Sequence, residues 1–184
     1  VTVDGVTRSL PDPFTVIATE NPLGSSGTQM LPESQLDRFM IRLSMGYPSH
    51  EAAVQILKGQ EFNLMDQVGK VMSRQDLIDM QQKVNSLPVH DSIFDYIVSL
   101  VEATRSSEYF SMGASPRGAN ALLRMSRAMA VLAGREYVVP EDVASVFTAV
   151  LGHRVKLSTK ARANGYNVVD ALGETRRLVK VPRT

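Results

Sequence analysis

Three side chains have the type and position to recognise a phosphate group: Asn21, Arg38 and Arg117. Asn21 follows the apolar, β-branched run at residues 14–19 and precedes Pro22. It is therefore predicted at the carboxyl end of a buried strand, where open α/β sheets bind their ligands. Its amide could orient a water molecule or donate to a phosphate oxygen. An Asn-Pro pair can also simply begin a turn, and spacing alone leaves both interpretations open.

Arg38 is predicted to point outward from a short helix at residues 32–39. Leu36, Phe39 and Met40 recur at spacings of three and four and so share the apolar face of that helix. Arg38 is about 200° around the axis from Leu36 and must point off the core. Such a guanidinium can reach a neighbouring molecule and neutralise the charge that develops on a transferring phosphoryl group. A solvated arginine that pairs with its own helix is the alternative.

Arg117 is predicted at the second position of a helix with a well-specified start. Ser115 is suited to the N-cap and Pro116 to the first helical position. A cation in the first turn opposes the helix dipole at a cost of roughly 0.3–1 kcal/mol, whereas a bound anion would gain from the arginine and the free N–H groups. The placement suggests a phosphate partner, and a tolerated surface arginine explains it equally well.

The elements that must position these residues divide into strands followed by helices. Residues 1–8 alternate apolar and polar around Asp4-Gly5 and predict a hairpin, and strands are expected at residues 14–19 and 40–45. The fold class is therefore α+β, with a boundary near Tyr47 and Pro48. We expect part of an α/β core at residues 1–47 and an all-helical domain at residues 48–184.

Capping residues and apolar periodicity set the predicted helices. Ser49 and Ser73 are suited to N-caps, the second with Asp76 three residues later, and Gly134 and Gly152 to left-handed stops. The methionines of the helix predicted near residues 116–133 are expected to pack in the core. The helices are predicted near residues 49–59, 73–86, 91–106, 116–133, 140–151 and 159–180, the last interrupted near residues 164–165.

Composition excludes several classes of function. Twenty basic against nineteen acidic residues leave a net charge of +1, and there is no cysteine, so neither a disulfide framework nor a general attraction to nucleic acid is expected. His50, His90 and His153 lack the spacing of metal ligands and are predicted as surface or capping residues, with no metal site. No run approaches the roughly 20 apolar residues of a membrane span, so a cytoplasmic protein is expected. A basic segment near the end of the chain is predicted to be a solvated face, and it contains Arg154, Lys156, Lys160, Arg162, Arg176, Arg177, Lys180 and Arg183.

The 184 residues contain no Gly-x-x-x-x-Gly-Lys-Ser/Thr loop, and no apolar strand ends in an Asp-Glu pair that could hold magnesium. No nucleophile has a convincing partner. These residues therefore contain neither of the two common elements that hold a nucleotide's phosphates and its magnesium ion.

Four segments, taken in order, resemble the MoxR family of AAA+ ATPases. They are residues 17–22, 31–39, 46–49 and 113–117, which read IATENP, LPESQLDRF, GYPS and GASPR. The resemblance implies that Asn21 is the sensor 1 residue, Arg38 an arginine finger for a neighbouring subunit, and Arg117 the sensor 2 arginine of a helical lid. It also implies that Tyr47 and Pro48 lie in a hinge near the adenine.

The resemblance further implies ATP and Mg²⁺ as cofactors of the full-length protein. This polypeptide alone is expected neither to bind ATP tightly nor to hydrolyse it, which calorimetric titration with magnesium-ATP would test. The family's Walker A and Walker B segments are then expected upstream of Val1. The resemblance also implies a ring of six subunits and a chaperone-like role in maturing protein complexes. A von Willebrand factor A domain protein is one candidate partner. A DNA-remodelling AAA+ protein and a non-enzymatic helical interaction module are the two alternatives, although a nucleic-acid partner is not favoured.

Overall fold

The computed structural model describes residues 1–20, 31–59 and 68–182, in which helices predominate after a short hairpin. The strands and helices, in chain order, are β1 Thr2–Val3, β2 Val6–Thr7, α1 Glu33–Leu36, α2 His50–Leu57, α3 Arg74–Ser86, α4 Asp91–Ser106, β3 Phe110–Met112, α5 Pro116–Leu132, α6 Pro140–Leu151, β4 Lys156–Leu157, α7 Thr159–Ala163 and α8 Val168–Arg177.

The predicted hairpin is present. Val3 pairs with Val6 in antiparallel register, and the two turn residues, Asp4 and Gly5, have φ of 52° and 76°. Positive φ at both central positions defines the primed turn that matches the twist of two short strands.

The two further strands expected at residues 14–19 and 40–45 do not form. A strand buried on both faces needs neighbouring strands to accept its backbone hydrogen bonds, and the described residues provide none beside these segments. Ile17 is 89% exposed. Met40 and Ile41 instead pack against the helical core, and the backbone N–H of Arg42 donates to the carbonyl of Ala149 at 2.9 Å.

The core lies among α4, α5, α6 and α8. The predicted bounds of the helices after residue 48 agree with the structure within about two residues, except that the last helix ends at Arg177 rather than near residue 180. Its interruption lies between α7 and α8 and includes the expected residues 164–165. The helix predicted at residues 32–39 is shorter, because α1 ends at Leu36. Met125 and Met129 pack on this core as predicted. The largest fully buried apolar side chains are Phe147, Ile93, Leu100, Leu122, Leu151, Leu172, Val143 and Val150.

Most of the predicted helix ends are confirmed. The Ser49 hydroxyl accepts from the N–H of Ala52 at 3.2 Å, and Ser73 and Asp76 form a reciprocal capping box. Gly134 has φ of 71° and ends α5 in the left-handed region. Gly152 was expected to do the same but has φ of −60°, because its N–H still donates to Thr148 O as one more turn of helix.

Two smaller details differ from the sequence-based expectation. Pro32 is the N-cap of α1 rather than its first helical residue. The short β3–β4 ladder, which pairs Phe110 with Leu157, was not predicted, because two- and three-residue strands carry no usable periodicity.

In the described ranges, no helix is both long and apolar enough to cross a bilayer. The same residues bring together no group of three or more potential metal ligands.

Candidate functional site

Arg38 lies just beyond the end of α1. The backbone continues the helical turn here, with Arg38 N–H donating to Gln35 O at 3.1 Å and Phe39 N–H to Leu36 O at 3.0 Å. The side chain of Arg38 is exposed. Its guanidinium is thus on the surface, as the position of Arg38 relative to Leu36 predicts.

Asp37, the residue before Arg38, joins α1 to the start of α5. Its carboxylate accepts from the hydroxyl of Ser115 at 3.3 Å and from Nε of Arg154 at 3.1 Å. A third group, Nη1 of Arg117, lies 3.6 Å from Oδ2. One carboxylate therefore contacts two cations and a hydroxyl that come from parts of the chain about 80 to 117 residues away.

Arg154 is a buried cation, with only 1% of its side chain exposed. Besides Asp37 Oδ1, its guanidinium donates to the carbonyls of Asp37 and Met40, each at 3.2 Å, and to those of Phe39 and Val150. Burial lowers the pKa of Arg154 while the Asp37 carboxylate opposes that shift. Because an arginine does not deprotonate in proteins, the site retains a positive charge that is fully hydrogen-bonded.

The prediction that Arg154 belongs to a solvated basic face is therefore wrong. The planar guanidinium offers five donors, and here carbonyls at the end of α1 and a carboxylate accept from them. Other members of that segment fit the prediction, since exposed ion pairs link Lys156 to Glu33 at 2.9 Å and Lys160 to Glu108 at 2.7 Å.

His153 is also buried rather than at the surface. Its Nε2 lies 3.0 Å from Phe39 O and must donate, because a carbonyl only accepts. Burial lowers the pKa of His153, and the neighbouring charges of Arg154 and Arg42 act in the same direction. His90, by contrast, caps α4 as predicted, with Nδ1 accepting from Ser92 N–H at 3.2 Å.

Arg117 is at the second position of α5, directly after Pro116, as predicted. Ser115 has the extended backbone of an N-cap, but its hydroxyl donates to Asp37 instead of capping the helix. The side chain of Arg117 is 55% exposed. A half-exposed guanidinium at a helix N-terminus that lacks a side-chain cap is suited to a solvent-borne anion.

The loop that leads into α5 is fixed on the last turn of α4. Ala114 N–H donates to the buried hydroxyl of Thr104 at 2.9 Å, and Arg105 Nε donates to Ala114 O at 2.8 Å. A Cβ on Gly113 would lie 2.6 Å from Arg105 Cα. The approach is closer than any side chain allows, so the glycine is required there.

Two further predicted site residues, Tyr47 and Pro48, make none of the contacts described for this cluster. Tyr47 is 89% exposed and Pro48 is exposed as well. Asn21 lies outside the described residues.

Sequence reasoning missed Asp37 and Arg154 as parts of the site. They are 117 residues apart in the chain, and only the fold brings them together. The available signal was the spacing of four residues from the buried Val150 of α6 to Arg154, which lies just after the end of that helix and on the side of its apolar face.

Two family models match the chain. The model described as "ATPase family associated with various cellular activities (AAA)" matches residues 1–41, and the "AAA lid domain" model matches residues 102–175. The first range contains Arg38 and Asp37, and the second contains Arg117 and Arg154.

Relatives extend the likeness along the whole chain. YeaC of Bacillus subtilis, a protein of unassigned function, is 40% identical over 99% of this chain and 57% of its own length. Chaperone MoxR1 of Mycobacterium tuberculosis is 34% identical over 100% of this chain and 51% of its own length. The chain thus spans about half the length of the curated relatives it matches.

A solved structure shows the same fold. A crystal structure from Cytophaga hutchinsonii, of a protein described as a candidate ATPase, matches with a TM-score of 0.86 at 33% identity. The match covers 100% of this chain and 58% of that one.

Proposed function

The chain belongs to the MoxR family of AAA+ ATPases, and on that premise we propose that it supplies the nucleotide-sensing half of an ATP-hydrolysis site. Arg38 acts as an arginine finger on ATP held by a neighbouring subunit, and Arg117 senses the phosphates from the helical lid. Asn21 orients the attacking water or a γ-phosphate oxygen. The proposed domains are the end of an α/β core at residues 1–47 and a lid at residues 48–184.

The observation that carries this proposal is the joint between the two proposed domains. Asp37 connects the end of α1, where Arg38 is exposed, to Ser115 and Arg117 at the start of α5. The carboxylate of Asp37 thus contacts Arg117, and Asp37 directly precedes Arg38 in the chain. The side chains of both arginines are exposed to solvent, fully or in part. Phosphoryl transfer spreads negative charge over the transferring oxygens, and a positioned guanidinium stabilises that charge.

Arg117 has a contact that a phosphate can replace. Its Nη1 is 3.6 Å from Asp37 Oδ2, longer than a charge-assisted hydrogen bond, and the side chain is half-exposed. A γ-phosphate at the N-terminus of α5 would offer Arg117 more charge together with the helix's free N–H groups. Nucleotide binding would then act directly on the helix at the centre of the lid.

The cofactors and the assembly follow from the same proposal. Magnesium-ATP would be held by a phosphate loop and an acidic pair, which these 184 residues do not contain. A finger that acts on a neighbour requires a homo-oligomer, for which a ring of six is the proposed form. The proposed role is that of a cytoplasmic chaperone-like machine that matures protein complexes, with a von Willebrand factor A domain protein as a candidate partner.

The test is Arg38→Ala in a polypeptide that joins this chain to the family's phosphate-binding segment. Turnover of ATP should fall by about 1000-fold or more, because an arginine finger supplies charge stabilisation only in the transition state. Binding of magnesium-ATP, measured by calorimetry, should stay within about twofold. The exposed Arg124, substituted by alanine, is the matched control. Turnover of Arg38→Ala equal to that of the unsubstituted protein would refute the assignment.

A further inference from the structure

The segment that contains Arg38 is anchored to the end of α6. Arg154 donates to the carbonyls of Asp37, Phe39 and Met40, and His153 Nε2 donates to Phe39 O. The backbone N–H of Arg42 donates to Ala149 O. Residues 37–42 are thus held on both sides of the arginine by groups at the carboxyl end of α6 and the turn after it.

Helix α1 is too short to orient Arg38 by itself. It has four residues, Glu33–Leu36, and none of them is buried. A single turn of helix has little stability of its own, since nucleation is unfavourable and packing supplies most of the stability of a protein helix. The direction in which Arg38 leaves the surface therefore depends on what holds residues 37–42.

We propose that Arg154 is a positioning residue for Arg38, an inference that rests on the function proposed above. Its guanidinium donates at the same time to the carbonyls of Asp37 and Phe39, on either side of Arg38, and to the carboxylate of Asp37. The finger is thereby fixed to α6 and follows the helical domain when that domain moves. Nucleotide-driven movement of the lid in one subunit would then carry its finger toward or away from the neighbour's phosphate.

Arg154 has three features that suit this role and that an ordinary core residue lacks. It is a buried charge, and a buried charge that loses its partners is strongly destabilised, so the docked arrangement has few alternatives. Its contacts join parts of the chain 114 to 117 residues apart. Gly118, in the first turn of α5, leaves room for its side chain, since a Cβ there would lie only 3.3 Å from Arg154 Cδ, closer than most such contacts.

The experiment is a double-mutant cycle on ATP turnover, in the same full-length background as above. Arg154→Lys keeps the charge but loses the planar fork that reaches several carbonyls. With Arg38 present, the substitution should lower kcat by about 10- to 100-fold, as expected of a displaced catalytic group. In the Arg38→Ala background the same substitution should change the residual rate of ATP turnover by less than about twofold. That rate is measured from the release of labelled phosphate.

Arg135→Lys is the matched control. Arg135 also forms a bidentate pair with a carboxylate, Asp142 at 2.5 and 2.6 Å, but it lies after the far end of α5. It should lower the melting temperature without changing kcat by more than about twofold. If Arg154→Lys does not fold, Arg154→Gln takes its place in the cycle, since its amide can still donate to a carbonyl and the contact between Asp37 and Arg117 is left intact.

The outcomes separate the two proposals. Equal losses of kcat in the presence and absence of Arg38 would overturn the positioning role, because they would show that Arg154 acts on the fold as a whole. Unchanged kcat in Arg154→Lys would also overturn it. Failure of the proposed function would appear differently, as full turnover by the Arg38→Ala protein itself.

Discussion

Arg154 and His153 show how a surface arginine can depend on residues that never meet the solvent. Both follow α6, and both donate to the carbonyl of Phe39, next to Arg38. Leaving a buried donor or acceptor without a partner costs about 1–3 kcal/mol, and more when the group is charged. The buried hydrogen bonds to residues 37–40 therefore determine how this segment is held. A substitution of Arg154 or His153 should change the position of Arg38.

The buried imidazole of His153 predicts a pH-dependent stability. Burial lowers the pKa of His153, so below about pH 6.5 the unfolded chain binds a proton that the folded chain does not. The free energy of unfolding should therefore fall as the pH drops from about 7.5 to about 5. Denaturant unfolding of this chain at the two pH values measures the effect.

His153→Gln is the variant for this test, because a glutamine amide can still donate to Phe39 O but does not titrate. Its stability should change less over the same range. The carboxylates with lowered pKa, Asp76 and Asp142 among them, lose their contribution at lower pH and are common to both proteins. An identical pH dependence in the two proteins would show that His153 does not titrate as the geometry implies.

For single residues, the sequence predicts what depends on neighbouring residues in the chain, and it does not predict contacts with distant ones. Arg117 was placed correctly because Ser115 and Pro116 beside it define a helix start. Arg38 was expected to be exposed from its angle to Leu36, and it is. The partners of Arg154 could not be predicted, since apart from Val150 O the carboxylate and carbonyls that accept from it lie more than 100 residues away.

At the scale of elements, the loop before α5 determines where Arg117 stands. Gly113 and Ala114 are fixed on Thr104 and Arg105 by two side-chain hydrogen bonds and one close approach. Because α5 also packs on α3, α4 and α6, its N-terminus is a well-defined point relative to the whole helical region.

Gly113→Ala should destabilise the chain by about 1–3 kcal/mol, because the added Cβ would overlap the backbone of Arg105. Thermal unfolding followed by circular dichroism gives the change. Gly173→Ala is the control, since a Cβ there meets nothing within 4 Å and the residue lies inside α8. That substitution should stabilise the chain by up to about 1 kcal/mol. Equal melting temperatures for Gly113→Ala and the parent would contradict the packing described here.

The helices and the local hairpin at residues 1–8 were predictable, whereas the strands expected at residues 14–19 and 40–45 were not, for a physical reason. A helix satisfies its own backbone, so caps such as Ser73 and an apolar period of 3.6 nearly suffice to locate it. The run at residues 14–19 has the composition of a buried strand, but a strand exists only beside a partner. The described residues give it none, and Val16 and Ile17 are 60% and 89% exposed.

At the scale of the whole molecule, we propose that this chain provides one side of an ATP-hydrolysis site. It provides an exposed arginine, Arg38, and a half-exposed one, Arg117, at the joint around Asp37, and the phosphate loop is not among its residues. Family membership explains why these features occur together, and the proposed assembly explains why Arg38 faces solvent. The central claim is that Arg38 serves a nucleotide bound to another subunit.

Mixing two inactive variants tests that claim most directly. One is the full-length Arg38→Ala protein, and the other has an intact Arg38 but a disabled phosphate loop. If the finger acts between subunits, random assembly of equal amounts should place an intact site beside an intact finger at about a quarter of the interfaces of a closed ring. ATP turnover should then recover to about a quarter of that of the unsubstituted protein. Turnover no greater than the sum of the two separate variants would contradict the account.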